Sequence, residues 1–420
     1  MLYERWRLVA AQRRRDLALR DVASGREWTF EELQAAGEAQ PLADAQVIHL
    51  GGNTPEFIFS LLAAWRAGRV VCPREPGHEP FRVRPPPPPC IHLKMTSATS
   101  GAGRLVAFTA RQLGADADNI VATMGLRPEW PNLGVISMAH SYGFSNLALP
   151  LLLHGIPLIL GSSALPEALR RAAAPEKALT LPAVPALWRA WQEAGAIPAN
   201  VRLAISAGAP LPAKLEREVW QSAGIKIHNF YGSTECGGIA YDATDRPRGD
   251  ETCAGAPMQN VTVGLNREGC LTVDSAAVGE TYWPDPAAEL EAGRFETRDL
   301  AELRDGLVFL CGRAGDMINV AGRKTTPETI ERELSTHPRV RDCLVLAGPS
   351  RDAERADVIF AIVAGEVAEP ELKTFLQQRL PAWQVPREWR FVESLAANGR
   401  GKISRAEWRR RLASAGHRAV

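Results

Sequence analysis

Four segments of this chain set small residues beside hydroxyl and charged side chains in patterns that suit a polyanion. The first, Thr96-Ser97-Ala98-Thr99-Ser100-Gly101-Ala102-Gly103-Arg104, follows the apolar run Cys90 to Met95 and precedes Leu105 to Phe108. Small residues let successive amides approach an anion, the hydroxyls add donors, and Arg104 adds a charged fork. It reads as a phosphate loop, although it lacks the Gly-x-x-x-x-Gly-Lys spacing of a Walker A loop. The second, Asn229-Phe230-Tyr231-Gly232-Ser233-Thr234-Glu235, follows a predicted strand from Ile225 to His228. Its aromatics can flank a base, Thr234 can donate to a phosphate oxygen, and Glu235 is a hard oxygen ligand suited to Mg²⁺. The third pairs Asp299, in Thr297-Arg298-Asp299-Leu300, with Arg313, a carboxylate and guanidinium able to share the two hydroxyls of a ribose. The fourth, Asn398-Gly399-Arg400-Gly401-Lys402-Ile403-Ser404-Arg405, sets Lys402 in a glycine-flanked turn, where the cation needs an anionic partner.

In this order the segments resemble the adenylate-forming superfamily of acyl-CoA synthetases, peptide-synthetase adenylation domains and luciferases. The resemblance runs from Trp28-Thr29-Phe30-Glu31-Glu32-Leu33 and Asn53-Thr54-Pro55-Glu56-Phe57, through Ser206-Ala207-Gly208-Ala209-Pro210, to Lys402. It implies that Thr96, Ser97, Thr99, Ser100, Gly101 and Arg104 hold the β- and γ-phosphates of ATP. It implies that Gly208, Ala209, Pro210, Asn229, Tyr231 and Gly232 line the adenine, with Tyr231 stacking and Asn229 reading the amino edge. Thr234 is then expected on the α-phosphate, Glu235 on Mg²⁺, and Asp299 with Arg313 on the ribose. Lys402 is expected to bridge the incoming carboxylate and the α-phosphate as pyrophosphate leaves. His140, Tyr142 and Gly143 fall where such enzymes line the acid pocket, Gly315 falls at the hinge, and Gly322 falls along the thiol channel.

The implied reaction is activation of a small carboxylic acid as an acyl-adenylate, followed by transfer to coenzyme A or to the phosphopantetheine of an acyl carrier protein. No Asp stands where amino-acid-activating members hold the substrate ammonium, so an acyl or aryl acid is favoured. The chain departs from the usual pattern at Ala98, Gly103-Arg104 and Arg298. Arg replaces Lys as a cation but not as a compact point charge. These departures motivate the alternative of a non-catalytic nucleotide or acyl sensor. A serine-hydrolase reading fails, because Ala204 stands where a Gly-x-Ser-x-Gly elbow around Ser206 needs its first glycine.

Length and composition agree with a soluble enzyme built from more than one unit. The 49 basic and 48 acidic residues leave a net charge of +1, with no electrostatic footprint for nucleic acid or an anionic membrane. The 7 cysteines are odd in number and include no Cys-x-x-Cys pair, as in reduced thiols of a cytoplasmic protein. No apolar stretch is long enough to span a bilayer, so no integral membrane association is expected.

A chain of 420 residues is longer than one core usually supports, so at least two domains are expected. From Gln46 to Gly232 short apolar runs alternate with amphipathic segments, the pattern of parallel strands joined by helical crossovers. This places an α/β AMP-binding domain over residues 1–314, with a small antiparallel, barrel-like β subdomain over residues 251–310. Residues 1–20 read as helical, and residues 134–138 read as a strand. Pro85 to Pro89 must be extended or looped. After Gly315 the pattern changes to a compact α+β domain, 315–420, expected to be mobile and to carry Lys402.

Overall fold

A computed structural model describes residues 1–75, 83–96, 104–320, 322–348, 358–395 and 405–416. The alternation read in the sequence becomes five parallel strands: Asn132–Gly134, Leu158–Leu160, Leu179–Ala183, Val201–Ser206 and Ile227–Ser233. Parallel strands cannot be joined by a tight turn, and each return here passes through helix. The returns are residues 141–154, Pro166–Ala173, Pro185–Glu193 and Ala213–Ala223. Pro166 and Pro185 open their helices at positions where the missing N–H costs nothing. Every residue of Leu179–Ala183 is buried, as expected for a parallel strand covered on both faces.

Beyond Ile227–Ser233 the same sheet turns antiparallel. The order continues through Gly237–Tyr241, Cys253–Pro257, Leu307–Arg313, Arg294–Arg304, Cys270–Ser275 and Val261–Leu265. The antiparallel part is therefore not a closed barrel: Cys253–Pro257 pairs with Gly237–Tyr241 on one edge and Leu307–Arg313 on the other, welding it to the main sheet. A second sheet is ordered Thr281–Trp283, Leu105–Thr109, Cys90–Met95, Val70–Arg74, Val47–Gly51. The largest core cluster includes Trp6, Phe30, Phe57, Phe108 and Phe144, all buried. Helices Phe30–Ala39 and Ala110–Met124 both start with a full capping box, Thr29 with Glu32 and Thr109 with Gln112.

Two local expectations are corrected. Helix occupies only Leu2–Gln12, while Leu17–Asp21 forms a strand between Arg26–Thr29 and Leu158–Leu160, which buries Ala18 and Leu19. Pairing with neighbours distant in sequence overrides the local helical pattern there. The strand expected at 134–138 is Asn132–Gly134 instead, and the following loop is pinned by Asn53. Asn53 donates to the Gly134 carbonyl at 3.3 Å and accepts from the Met138 amide at 3.4 Å.

The C-terminal residues build their own core around the sheet Val340–Gly348, Val358–Gly365, Glu388–Val392. Ile330 and Leu334 from helix Pro327–Ser335 meet Leu372 and Leu376 from helix Glu369–Gln377 in it. Polar contacts join this part to the rest: Thr326 Oγ1 donates to the Cys311 carbonyl at 2.8 Å, and Arg189 pairs with Asp342 at 2.8 Å.

The end of strand Ile227–Ser233 is braced by charges buried together. Glu216 is fully buried and accepts from Lys226 and from Arg248 Nε, the latter at 2.9 Å, while Lys226 also reaches Asp242 at 2.6 Å. Removing one partner of such a set leaves an uncompensated buried charge. Glu216→Gln is expected to cost about 3 kcal/mol of stability, read as a lowered thermal unfolding midpoint; a midpoint equal to that of the parent chain would refute the bracing.

Candidate active site

Strand Ile227–Ser233 and its antiparallel neighbour Gly237–Tyr241 form a hairpin whose turn is Thr234, Glu235 and Cys236. A Cβ on Gly232 would fall 2.5 Å from the Gly237 carbonyl oxygen, so the hairpin closes only around glycine. Tyr231 lies in this strand and its hydroxyl donates to Asp299 Oδ2 at 2.6 Å. Asp299 and Arg313 are register partners on adjacent strands, and Arg313 Nε donates to Asp299 Oδ1 at 2.8 Å. Burial, then the Asp299 charge, pushes the Tyr231 phenol well above its ordinary range, so it stays a donor. Three residues separated by up to 82 positions in the chain thus meet as one aromatic, carboxylate and guanidinium cluster.

The Glu235 side chain is oriented by a residue that the sequence did not single out. Tyr282 donates its hydroxyl to Glu235 Oε1 at 3.0 Å, and the Arg104 guanidinium lies 3.3 Å from the centre of the Tyr282 ring. Arg104 also pairs with Glu289 at 2.8 Å. Tyr282 therefore contacts both Glu235 and Arg104, which the sequence places in separate segments. It sits in a three-residue strand beside Leu105–Thr109, and a tyrosine in Thr-Tyr-Trp-Pro carries no signal of such a role. Burial of Cys236 raises its thiol pKa, which argues against a thiolate nucleophile beside Glu235.

Thr96 and Arg104 close the mouth of the expected phosphate loop: the Thr96 amide donates to the Arg104 carbonyl at 2.8 Å, and the Arg104 amide donates to Thr96 Oγ1 at 3.0 Å. Ser97, Thr99, Ser100, Gly101 and Lys402 lie outside the described residues. Ser206 is the register partner of Asn229, so Gly208, Ala209 and Pro210 leave the sheet beside strand Ile227–Ser233. Gly208 takes φ +86°, a left-handed conformation natural to glycine. Asn229 is almost wholly buried, with its amide 3.4 Å from the Cys253 carbonyl.

The expected acid-pocket residues stand at the carboxyl ends of the same parallel strands, where open α/β sheets place their ligand crevice. Tyr142 OH lies 3.5 Å from the Ala183 carbonyl and 3.4 Å from that of Ile205, and its ring centre is 5.9 Å from that of Phe230. A Cβ on Gly143 would fall 2.1 Å from the Ser137 carbonyl oxygen, so that glycine is required by packing. His140 Nε2 is 3.2 Å from Glu75 Oε1, a second partner that the sequence left unmarked. Gly315 lies in the 3-10 turn Ala314–Asp316 just after Arg313, with open space where a Cβ would project. Gly322 lies between strands Ile318–Val320 and Arg323–Thr325 and donates its amide to Asn319 at 3.0 Å; among the described residues no hydrogen bond joins it to the Tyr231 cluster.

Comparison with known proteins matches residues 89–283 to the AMP-binding enzyme family and residues 329–402 to the AMP-binding enzyme C-terminal domain. A probable 2-succinylbenzoate–CoA ligase of Mycobacterium tuberculosis is 30% identical over 76% of this chain and 83% of its own length. The chain belongs to the AMP-binding, adenylate-forming family. A feruloyl-CoA synthase of an Amycolatopsis species is 28% identical over 86% of this chain and 78% of its own length. An anthranilate–CoA ligase of Pseudomonas aeruginosa is 25% identical over 94% of this chain and 80% of its own length. The fold is that of ATP-bound MatB from Rhodopseudomonas palustris, with a TM-score of 0.85 at 18% identity over 98% of both chains.

Tyr231→Phe keeps the ring and removes the 2.6 Å donor to Asp299. Loss of about 1 kcal/mol is expected to weaken ATP binding about fivefold in a calorimetric titration. An unchanged dissociation constant would place the hydroxyl off the nucleotide path.

Proposed function

We propose that this chain is an ATP-dependent carboxylate–thiol ligase that forms an acyl-adenylate with release of pyrophosphate and then an acyl thioester. The observation that carries this reading is the meeting of Tyr231, Asp299 and Arg313 in one strand system with the Thr234–Glu235 turn. Relatives named for succinylbenzoate, feruloyl and anthranilate thioesters support an aryl or acyl acid and favour catalysis over a sensor. The acceptor is coenzyme A or a carrier-protein phosphopantetheine, with the relatives' names favouring coenzyme A.

In this reading Asp299 and Arg313 hold the ribose and Tyr231 packs against the base. Thr234 donates to the α-phosphate. Glu235 has one oxygen held by Tyr282, and its hard carboxylate chemistry fits Mg²⁺, which when bound neutralises charge on the phosphates. Lys402 stabilises charge as the acid's carboxylate oxygen attacks the α-phosphorus and pyrophosphate departs. His140, Tyr142 and Gly143 border the acid.

We further infer two moving bodies, residues 1–314 and 315–420, pivoting at Gly315, with Gly322 on the thiol's path in the second half-reaction. Arg405 and Arg409 both pair with Asp316, at 3.7 and 3.1 Å, which supports motion of the last helix together with the segment after the pivot. Lys402→Ala is expected to lower adenylation at least 100-fold while thiol attack on a supplied acyl-adenylate survives. The check is pyrophosphate release from ATP and Mg²⁺ against aryl and fatty acids, with and without coenzyme A. Silence across the panel with the parent chain, despite ATP binding, would favour the sensor or an enzyme that depends on a carrier protein.

A further inference from the structure

Beneath the candidate site lies a second buried cluster of charge that the assigned roles do not use. Lys94 and Asp116 have side chains only 3% exposed, and their charged groups stand 3.4 Å apart. Ser145 Oγ donates to Asp116 Oδ2 at 2.5 Å and lies 3.1 Å from Lys94 Nζ. The other oxygen, Asp116 Oδ1, accepts from the Gly238 amide at 3.3 Å. The contact with the hairpin is close enough to exclude any side chain at Gly237, whose Cβ would fall 2.1 Å from Asp116 Oδ1. The Lys94 ammonium also rests 4.8 Å from the Phe108 ring centre and 5.7 Å from that of Phe144.

Each partner of Asp116 comes from a different segment of the site. Lys94 lies two residues before Thr96, on the strand that leads to the phosphate loop. Ser145 lies two residues after Gly143, in the π turn Phe144–Ala148 of the acid-side helix. Gly238 follows the Thr234–Cys236 turn. Asp116 itself belongs to helix Ala110–Met124, which follows strand Leu105–Thr109 just after Arg104. Burial pulls the Lys94 pKa down and the Asp116 charge opposes it, so the ammonium depends on this carboxylate. A buried ion pair adds little stability that apolar residues of equal volume would not, so its worth lies in the geometry it selects.

We propose that Asp116 is a positioning residue that ties the phosphate-loop strand, the Thr234–Glu235 hairpin and the acid-side helix into one register, so that ATP and acid bind in mutual alignment. It touches no substrate and acts through Lys94, Ser145 and Gly238. The inference deepens the ligase reading and rests on it for the identity of the substrates.

The test uses the full chain with Asp116→Asn, Ser145→Ala and the apolar double variant Lys94→Met/Asp116→Leu, measuring thermal midpoint, ATP dissociation constant by calorimetry, and KM for ATP and for the acid selected in the panel. Misalignment of bound groups is expected to raise KM for both substrates about tenfold in Asp116→Asn. Ser145→Ala is expected to raise KM for the acid and leave ATP binding within about twofold. The double variant is expected to regain the parent's thermal midpoint and not its KM values, a separation that a merely structural pair cannot produce. Recovery of both by the double variant, or parent-like KM in folded Asp116→Asn, would overturn the proposal. Should Asp116→Asn not fold, the double variant and Ser145→Ala decide it. Should the parent release no acid-dependent pyrophosphate, the ligase reading fails by itself. The ATP dissociation constant then judges the alignment: about tenfold weaker binding in the double variant at parent-like thermal midpoint sustains it, and an unchanged constant overturns it.

Discussion

Strand Ile227–Ser233 pairs parallel with Val201–Ser206 on one edge and antiparallel with Gly237–Tyr241 on the other, and this change of direction organises the molecule. A parallel edge must be reached by a crossover, so its loops open at the carboxyl ends of the strands; an antiparallel edge can close through a three-residue turn at the same end. The loop that bears Gly208, the helix start that bears Tyr142 and the turn that bears Thr234 and Glu235 therefore gather on one side. On the antiparallel flank, the pairing of Arg294–Arg304 with Leu307–Arg313 brings Asp299 against Arg313, and Tyr231 reaches both.

The strand's own position rests on charge hidden from water. Glu216, Lys226, Arg248 and Asp242 are each buried, and each has an oppositely charged partner within the set. Arg248 further donates to the backbone carbonyls of Leu211 and Cys253. Such a network is costly to desolvate and unforgiving of a missing member, which makes it poor at adding stability and good at excluding alternative registers. The Lys94–Asp116–Ser145 cluster repeats that logic near the turn of the hairpin, where Asp116 accepts from the Gly238 amide.

The C-terminal part obeys a different balance. Its core is closed by its own apolar residues, and among the described residues its links to the larger part include exposed or half-exposed pairs such as Arg189 with Asp342 and Arg332 with Glu251. Half-exposed ion pairs contribute little and exchange readily with water. Inside that part, by contrast, Arg405 is gripped by Glu328 at 2.9 Å and Glu331 at 2.6 Å, so the start of the last helix is held to its own domain. Burial, the larger effect, together with the neighbouring Glu328 charge, moves the Glu331 carboxyl up to about 7, against the pull of Arg405.

Much was legible in the amino-acid order because it depends on neighbours along the chain. Hydrophobic alternation marked the parallel strands, and the ordered set around Thr96, Thr234, Asp299, Arg313 and Lys402 marked the family. Local pattern erred where distant pairing overruled it, at Leu17–Asp21 and at Asn132–Gly134. Nothing in the order pointed to Tyr282 beneath Glu235, Glu75 beside His140, or Asp116 between Lys94, Ser145 and Gly238. The sequence by itself determined which side chains could meet a nucleotide and which elements would carry them, since residue chemistry and periodicity are local. Only the tertiary structure decided which tyrosine orients the carboxylate and which buried acid aligns the segments, because those partners lie up to 122 residues apart and meet only through the packing of helix Ala110–Met124 and the two sheets around the hairpin.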